Sequence, residues 1–338
     1  MTTPLAAIFG MSGTELTKNE VEFFKKTQPW GYILFGRNVE NAAQLRSLTD
    51  SLRVISGRKR LPIFIDQEGG RVQRLRPPLA PVYPTGRAIG DLYRSSKNMG
   101  LRAAWLMSRL HAFDLHAYGI NADCLPVLDV PVEGAHDVIG DRAYHTDPHI
   151  VAEIGLAAAQ GLIDGGVLPV IKHIPGHGRG AADSHLALPI VDTLHEELSR
   201  TDFVPFKALN KTGMAMTAHV TYSDIDPKHC ATLSAKIISK IIRKEIGFKG
   251  LLMSDDVSMK ALSGDFASRA GAILSAGCDI ILHCNGDMAE MQTLAKAIGR
   301  LEGKSLKRAE RAVKPLGRVK EEHESALRAE FAELFPEA

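Results

Sequence analysis

Cysteine is scarce in this chain: four among 338 residues (Cys124, Cys230, Cys278 and Cys284), with no C-x-x-C. Those spacings suggest neither a disulfide framework nor a zinc cluster. Cys124 and Cys278 lie in or beside apolar runs and read as small core hydrophobes. An excess of either charge is also lacking. Lys and Arg number 41 against 39 Asp and Glu, a formal +2, so the overall balance gives no reason to expect a nucleic-acid or membrane partner. No stretch approaches the ~20 apolar residues of a membrane span. The opening M-T-T-P-L-A-A-I-F-G has no basic region ahead of its short apolar run, so no signal peptide is read. A reducing, cytoplasmic setting fits. The G-x-G at Gly176 and Gly178 completes neither G-x-G-x-x-G nor a Walker pattern, which discounts a phosphate loop.

What is present is a rhythm. Short apolar runs alternate with longer amphipathic segments. Strands are expected at 5–9, 31–35, 61–65, 120–125, 167–171, 214–217, 250–253 and 279–282. Helices are expected at 41–55 (Leu45, Leu48 and Leu52 on one face), 97–118, 148–163, 194–210, 234–246, 265–276 and 287–301, with one more opening at Thr17 through a capping box with Glu20. Eight strands each followed by a helix is the count of a single (β/α)8 barrel, although alternation alone also allows an open doubly wound sheet. Asp66, Lys172, His173, His219, Asp255 and Asn285 each sit just past a different strand. A barrel gathers those ends into one mouth, whereas an open sheet spreads them at ~4.8 Å per strand. One domain is expected over 1–338, with 305–335 as a solvated C-terminal helical appendage on its outside.

The chemistry concentrates in K-H-I-P-G-H-G-R-G-A-A-D-S-H, which follows the fifth strand as an irregular loop broken by Pro175, Gly176, Gly178 and Gly180. Asp255, ending the seventh strand, is a candidate nucleophile or base. Its neighbour Asp256 points the other way in extended chain and reads better as a structural acceptor. Asp183 and His185 form a D-x-H pair in which the carboxylate can set the imidazole tautomer for proton transfer. Lys172 suits a sugar hydroxyl better than a Schiff base. Asp66 with Arg74, and Arg142, look like hydroxyl or carboxylate clamps, with a rim salt bridge as the alternative for Arg142. His173 and His177 have the i, i+4 count of a zinc pair, but Pro175 and Gly176 forbid the helix that would align them.

These residues match a known family. G-Y-I-L-F-G-R-N-V-E-N (31–41), I-D-Q-E-G-G-R-V-Q-R (65–74), V-I-G-D-R-A-Y (138–144), K-H-I-P-G-H-G with D-S-H (172–185) and G-F-K-G-L-L-M-S-D-D-V-S-M (247–259) together resemble glycoside hydrolase family 3, in its bacterial β-N-acetylglucosaminidase branch. The resemblance implies a TIM-type barrel that removes terminal β-linked N-acetylglucosamine with retention, without metal or other cofactor. The implied substrates are N-acetylglucosamine-anhydro-muramyl peptides of cell-wall recycling. It implies that Asp255 is the covalent nucleophile and that His185, paired with Asp183, is the acid/base. Asp66, Arg74, Arg142, Lys172 and His173 would hold the sugar, and Met259 would line the pocket.

Retaining glycosidases usually pair two carboxyl groups ~5–5.5 Å apart. A histidine acid/base departs from that and leaves phosphate open beside water as acceptor. Ile174, Arg179 and Val257 stand where many relatives carry Phe, Asp and Leu, which is expected to tune loop packing. His177 is left with no chemical role beyond folding the loop. Two rivals are a metal-dependent barrel hydrolase and a sugar-binding barrel without catalysis. The sequence carries no signal of oligomeric state.

Overall fold

A computed structural model describes residues 3–180 and 188–336. Eight parallel strands close a barrel: β1 (Leu5–Phe9), β2 (Pro29–Leu34), β3 (Ile63–Ile65), β4 (Ala122–Asp123), β5 (Leu168–Ile174), β6 (Met214–Thr217), β7 (Leu251–Asp256) and β8 (Ile280–His283). Each strand pairs with its neighbours in sequence, and β1 closes the ring on β8, Phe9 lying opposite His283. The strands are buried throughout except at Asp255 and Asp256. That is the pattern of a parallel sheet covered outside by helices and filled inside by its own side chains.

The helices form where caps and apolar stripes direct them. In α1 (Lys18–Thr27), Thr17 and Glu20 make the reciprocal capping box. Asn41 caps α2 (Ala42–Ser56), which buries Leu45, Leu48 and Leu52. Helices α4 (Lys97–Ala117) and α5 (Pro148–Asp164) pack on each other outside β4 and β5. Asp265 caps α8 (Phe266–Ala276), and Asp287 caps α9 (Met288–Ala297).

Several boundaries differ from the sequence reading. A helix not expected, α3 (Gly86–Ser95), forms behind its Thr85 cap. The helix expected over 194–210 is two short ones, α6 (His195–Arg200) and α7 (Val204–Ala208), because Pro205 can open a helix but not sit inside one. The segment expected as an α-helix over 234–246 is a π-helix at Ile237–Glu245, with Ser234 Oγ accepting from the Ile237 N–H at 3.0 Å. The last expected helix stops at Ala297, since Arg300 bridges antiparallel to Leu5.

The C-terminal helices are less solvated than expected. Helix α10 (Gly303–Ala312) lies under the strand N-termini. Leu301 N–H donates to the Pro4 carbonyl at 2.9 Å, and Ser305 Oγ and Arg308 reach Asp279 at 2.6 and 2.8 Å. Asp279, just before β8, is buried and also takes Arg243 and the Leu252 N–H. Helix α11 (Glu324–Leu334) buries Leu327 and Phe331, and its Arg328 pairs with buried Asp114 at 2.6 Å.

Among the described residues no helix is long and apolar enough to cross a membrane. The four cysteines are free, with Cys124, Cys230 and Cys278 buried.

Candidate active site

The C-terminal ends of the strands surround a cavity of about 160 Å³. Its lining comes from every strand, or the loop after it, except β1. Strand β5 supplies Lys172 and His173; the sequence reading put both in the loop after the strand. The ladder instead runs on to Ile174, with Leu128 N–H donating to the Lys172 carbonyl at 2.7 Å. Strand β7 likewise continues through Asp255 and Asp256. A charged side chain does not end a strand whose face opens into a polar mouth.

One wall is a charged cluster. Lys172, almost fully buried, donates to Asp66 Oδ1 at 2.8 Å and pairs with Glu68 Oε1 at 2.6 Å. Arg74 reaches the other Asp66 oxygen at 3.1 Å and lies over the Phe35 ring, 5.4 Å from its centroid. Arg142 grips Glu68 with two bonds of 2.8 Å. Burial opposes the charge on both acids, yet the cations prevail. Lys172 and Arg74 hold Asp66 well below the usual carboxylate range, and Arg142 and Lys172 hold Glu68 at about 2. Burial also opposes the charge on Lys172, but the two carboxylates raise its pKa. At an effective dielectric of about 20, charges about 3 Å apart attract by roughly 5–6 kcal/mol. That only matches the several kcal/mol each ion loses on burial. The cluster therefore fixes geometry more than it adds stability, and it presents oriented donors and acceptors suited to sugar hydroxyls.

A second unit holds the histidines. Asp129, fully buried, accepts from His173 Nδ1 at 2.7 Å and from the backbone N–H groups of His173 and His177 at 3.2 and 2.6 Å. Burial raises the Asp129 pKa, but His173 and His177 outweigh it and hold it at about 2. Gly178 permits this turn, because a Cβ there would lie 2.0 Å from the Val130 carbonyl oxygen. His177 lines the cavity, and burial, then His173, push its pKa down to about 4, so it is neutral at pH 7.

Asp255, Met259 and Cys284 also line the cavity. Asp255 Oδ1 accepts the Asp256 N–H at 2.8 Å. The Asp256 carboxylate accepts from the Ser258 and Cys284 N–H groups, both at 3.1 Å, and so ties β7 to the end of β8.

The cavity thus gathers Asp66, Arg74, Arg142, Lys172, His173, Asp255 and Met259. Asp183 and His185 lie outside the described residues. His219 and Asn285, expected at the mouth, are not part of the lining. His219 is buried between Thr232 Oγ1 and the Asp256 carbonyl, while Asn285 donates to Glu290 on α9. Arg179 reaches Asp202 at 2.7 Å and Glu197 at 2.9 Å, around α6. Glu68 and Asp129 were missed by sequence reasoning. For Glu68 a signal existed: it stands two residues after Asp66, the spacing that puts side chains on one side of extended chain. Among the described residues, no three His, Cys, Asp or Glu side chains converge as a metal ion would require.

A closed parallel barrel whose mouth combines a strand-end carboxylate with an ion-paired polar wall is suited to holding and cleaving a hydroxyl-rich substrate. Residues 6–318 match the N-terminal domain of glycosyl hydrolase family 3, and the chain belongs to that family. It is a glycoside hydrolase. Among its relatives, a beta-hexosaminidase of Methylobacillus flagellatus is 38% identical over 307 residues, 88% of this chain and 86% of the relative. The crystal structure of NagZ from Neisseria gonorrhoeae in complex with N-trifluoroacetyl-D-glucosamine has a TM-score of 0.88 and 32% identity, covering 98% of both chains. A structure of that NagZ in complex with zinc ion has the same TM-score and coverage at 30% identity.

Proposed function

We propose that the protein is a retaining exo-β-N-acetylglucosaminidase acting on muropeptide fragments in the cytoplasm. The observation that carries this reading is that Asp255 shares one cavity with the Asp66–Arg74–Lys172–Glu68–Arg142 cluster. In this reading the cluster and His173 hold the terminal N-acetylglucosamine, with Met259 against it. Asp255 attacks the anomeric carbon as the bond to the leaving oxygen breaks, giving a glycosyl ester. His185, steadied by Asp183, gives its proton to that oxygen. It then takes a proton from the water that attacks the ester, which frees the sugar with retention. The resemblance to relatives called beta-hexosaminidase, and to a NagZ that takes an N-acylated glucosamine analogue, supports the sugar chosen.

The test is turnover of aryl β-N-acetylglucosaminide and aryl β-glucoside by wild type and Asp255→Asn. The expected result is preference for the N-acetylated substrate and a loss on the order of 10⁴-fold in the variant. Near-full activity of Asp255→Asn would reject the nucleophile. The zinc-bound NagZ favours one second reading, a metal-dependent hydrolase. Loss of activity in chelator, restored by zinc, would establish it; the glycosyl-ester mechanism predicts indifference to chelator.

A further inference from the structure

The formal charge of +2 averages over an uneven distribution. From 300 to 320 the chain carries Arg300, Lys304, Lys307, Arg308, Arg311, Lys314, Arg318 and Lys320 against Glu302 and Glu310 alone. Helix α10 lays this segment across the end of the barrel opposite the cavity of Asp255. An open groove of about 550 Å³ lies there, lined by Lys249, Lys304, Lys307, Arg308, Glu310, Arg311 and Lys314. Arg308 is taken by buried Asp279. The remaining five cations are exposed, and among the described residues none has an acidic partner within ion-pairing distance. A second groove on the other flank of α10 adds Arg60, beside Arg58, whose guanidinium donates to the Pro29 and Trp30 carbonyls.

Unpaired cations cost self-repulsion that a few glutamates would remove, so the concentration on one face points to an anionic partner. The form of the face narrows the choice. Its charges come from separate elements, the turn before β7, helix α10 and the turn before β3, and spread over one end of the barrel. They do not follow a track. Of the five unpaired cations of the first groove four are lysines, and Arg311 alone carries the fork that reads individual phosphates. Among the described residues no exposed aromatic stands beside the grooves to stack a base: Trp30, which lines the second groove, and Phe248 are both buried. A diffuse basic face of this kind suits a bilayer of anionic headgroups.

We propose that the strand-N-terminal face of the barrel docks on an anionic phospholipid surface, leaving the cavity of Asp255 open to solution. This rests on the charge distribution and holds whatever sugar the cavity takes. The test is co-sedimentation of the full chain with phosphatidylcholine vesicles, with and without phosphatidylglycerol, at low and high salt. Binding is expected only with phosphatidylglycerol and should be lost at high salt. Each lysine near such a surface contributes about fivefold, so combining Lys304→Gln, Lys307→Gln and Lys314→Gln should weaken binding about a hundredfold. These residues lie far from the cavity, so turnover of the aryl glycoside should persist and verify folding. Absence of binding to anionic vesicles, or binding unchanged in the triple variant, overturns the proposal. So does tighter binding to a short DNA duplex than to the vesicles.

Discussion

Replacing Glu68 with Gln keeps its shape and removes its charge. Wild-type Glu68 is buried, with two bonds of 2.8 Å from Arg142 and a 2.6 Å contact from Lys172. In the variant, Asp66 alone faces Lys172, Arg74 and Arg142, and an amide N–H competes with a guanidinium for the same space. Removing one member of a buried pair costs about 3–5 kcal/mol, because the partner charge stays buried. The carboxyl's own acidity gives a similar figure for the part that depends on its charge: lowering its pKa from 4.5 to about 2 on folding favours the ionised over the protonated form by about 3 kcal/mol at neutral pH. This stabilisation is full above the unfolded value and fades as pH falls through about 4.5 toward 2. For a chain of this length roughly 2 °C accompanies each kcal/mol, so Glu68→Gln should lower Tm by roughly 6–10 °C at pH 7. The gap to wild type should narrow in acid. Arg142 and Lys172 would lose their fixed positions, so kcat/KM should also fall, by about a hundredfold for a displacement near 1 Å. Calorimetry across pH and steady-state assays on the aryl N-acetylglucosaminide read both. A variant with wild-type Tm and kcat/KM at pH 7 would refute the claim that this pairing fixes the cavity wall.

Asp129→Ala removes the acceptor of His173 Nδ1 and of two backbone N–H groups; kcat/KM should fall about 10- to 100-fold, and the imidazole resonances of His173 should shift in NMR. His177 is held neutral down to about pH 4, so His177→Gln should leave the activity profile between pH 5 and 8 unchanged in shape; a displaced alkaline or acidic limb would contradict that neutrality. Asp279→Ala strips Arg243, Arg308 and Ser305 of their shared acceptor and should cost about 3–5 kcal/mol by denaturant melt, with KM little altered because the site is at the far end of the barrel.

The barrel was legible because each strand is a buried apolar run followed by polar residues, and a helix-forming segment separates each from the next. Strand ends were harder to read. Lys172, His173, Asp255 and Asp256 look like loop on hydropathy, yet their backbones continue the ladder into a mouth where polarity is tolerated. Asp66 and Arg74 were readable as a pair because they lie close in sequence. Asp129 was not, since its partners His173 and His177 stand more than forty residues later and meet it only after β4 and β5 align. His219 shows the converse: a histidine after a strand whose ring is consumed by Thr232 and the Asp256 carbonyl. The C-terminal segment looked solvated because its charges outnumber its apolar residues. Asp279 and Asp114 turn two of those charges inward.

The β1–β8 seam has a consequence for synthesis. A chain emerging from the ribosome presents β1 first, and its partner β8 among the last of the barrel elements. Until then one flank of the sheet is an open edge, the kind of surface that recruits stray strands. Leu301 against Pro4 then ties the start of β1 to residues translated later still, and Asp279 before β8 is held by Ser305 and Arg308. The cavity wall built from β7 and β8 cannot form ahead of that closure, so the nascent protein should gain activity only after its C-terminal helices have cleared the exit tunnel.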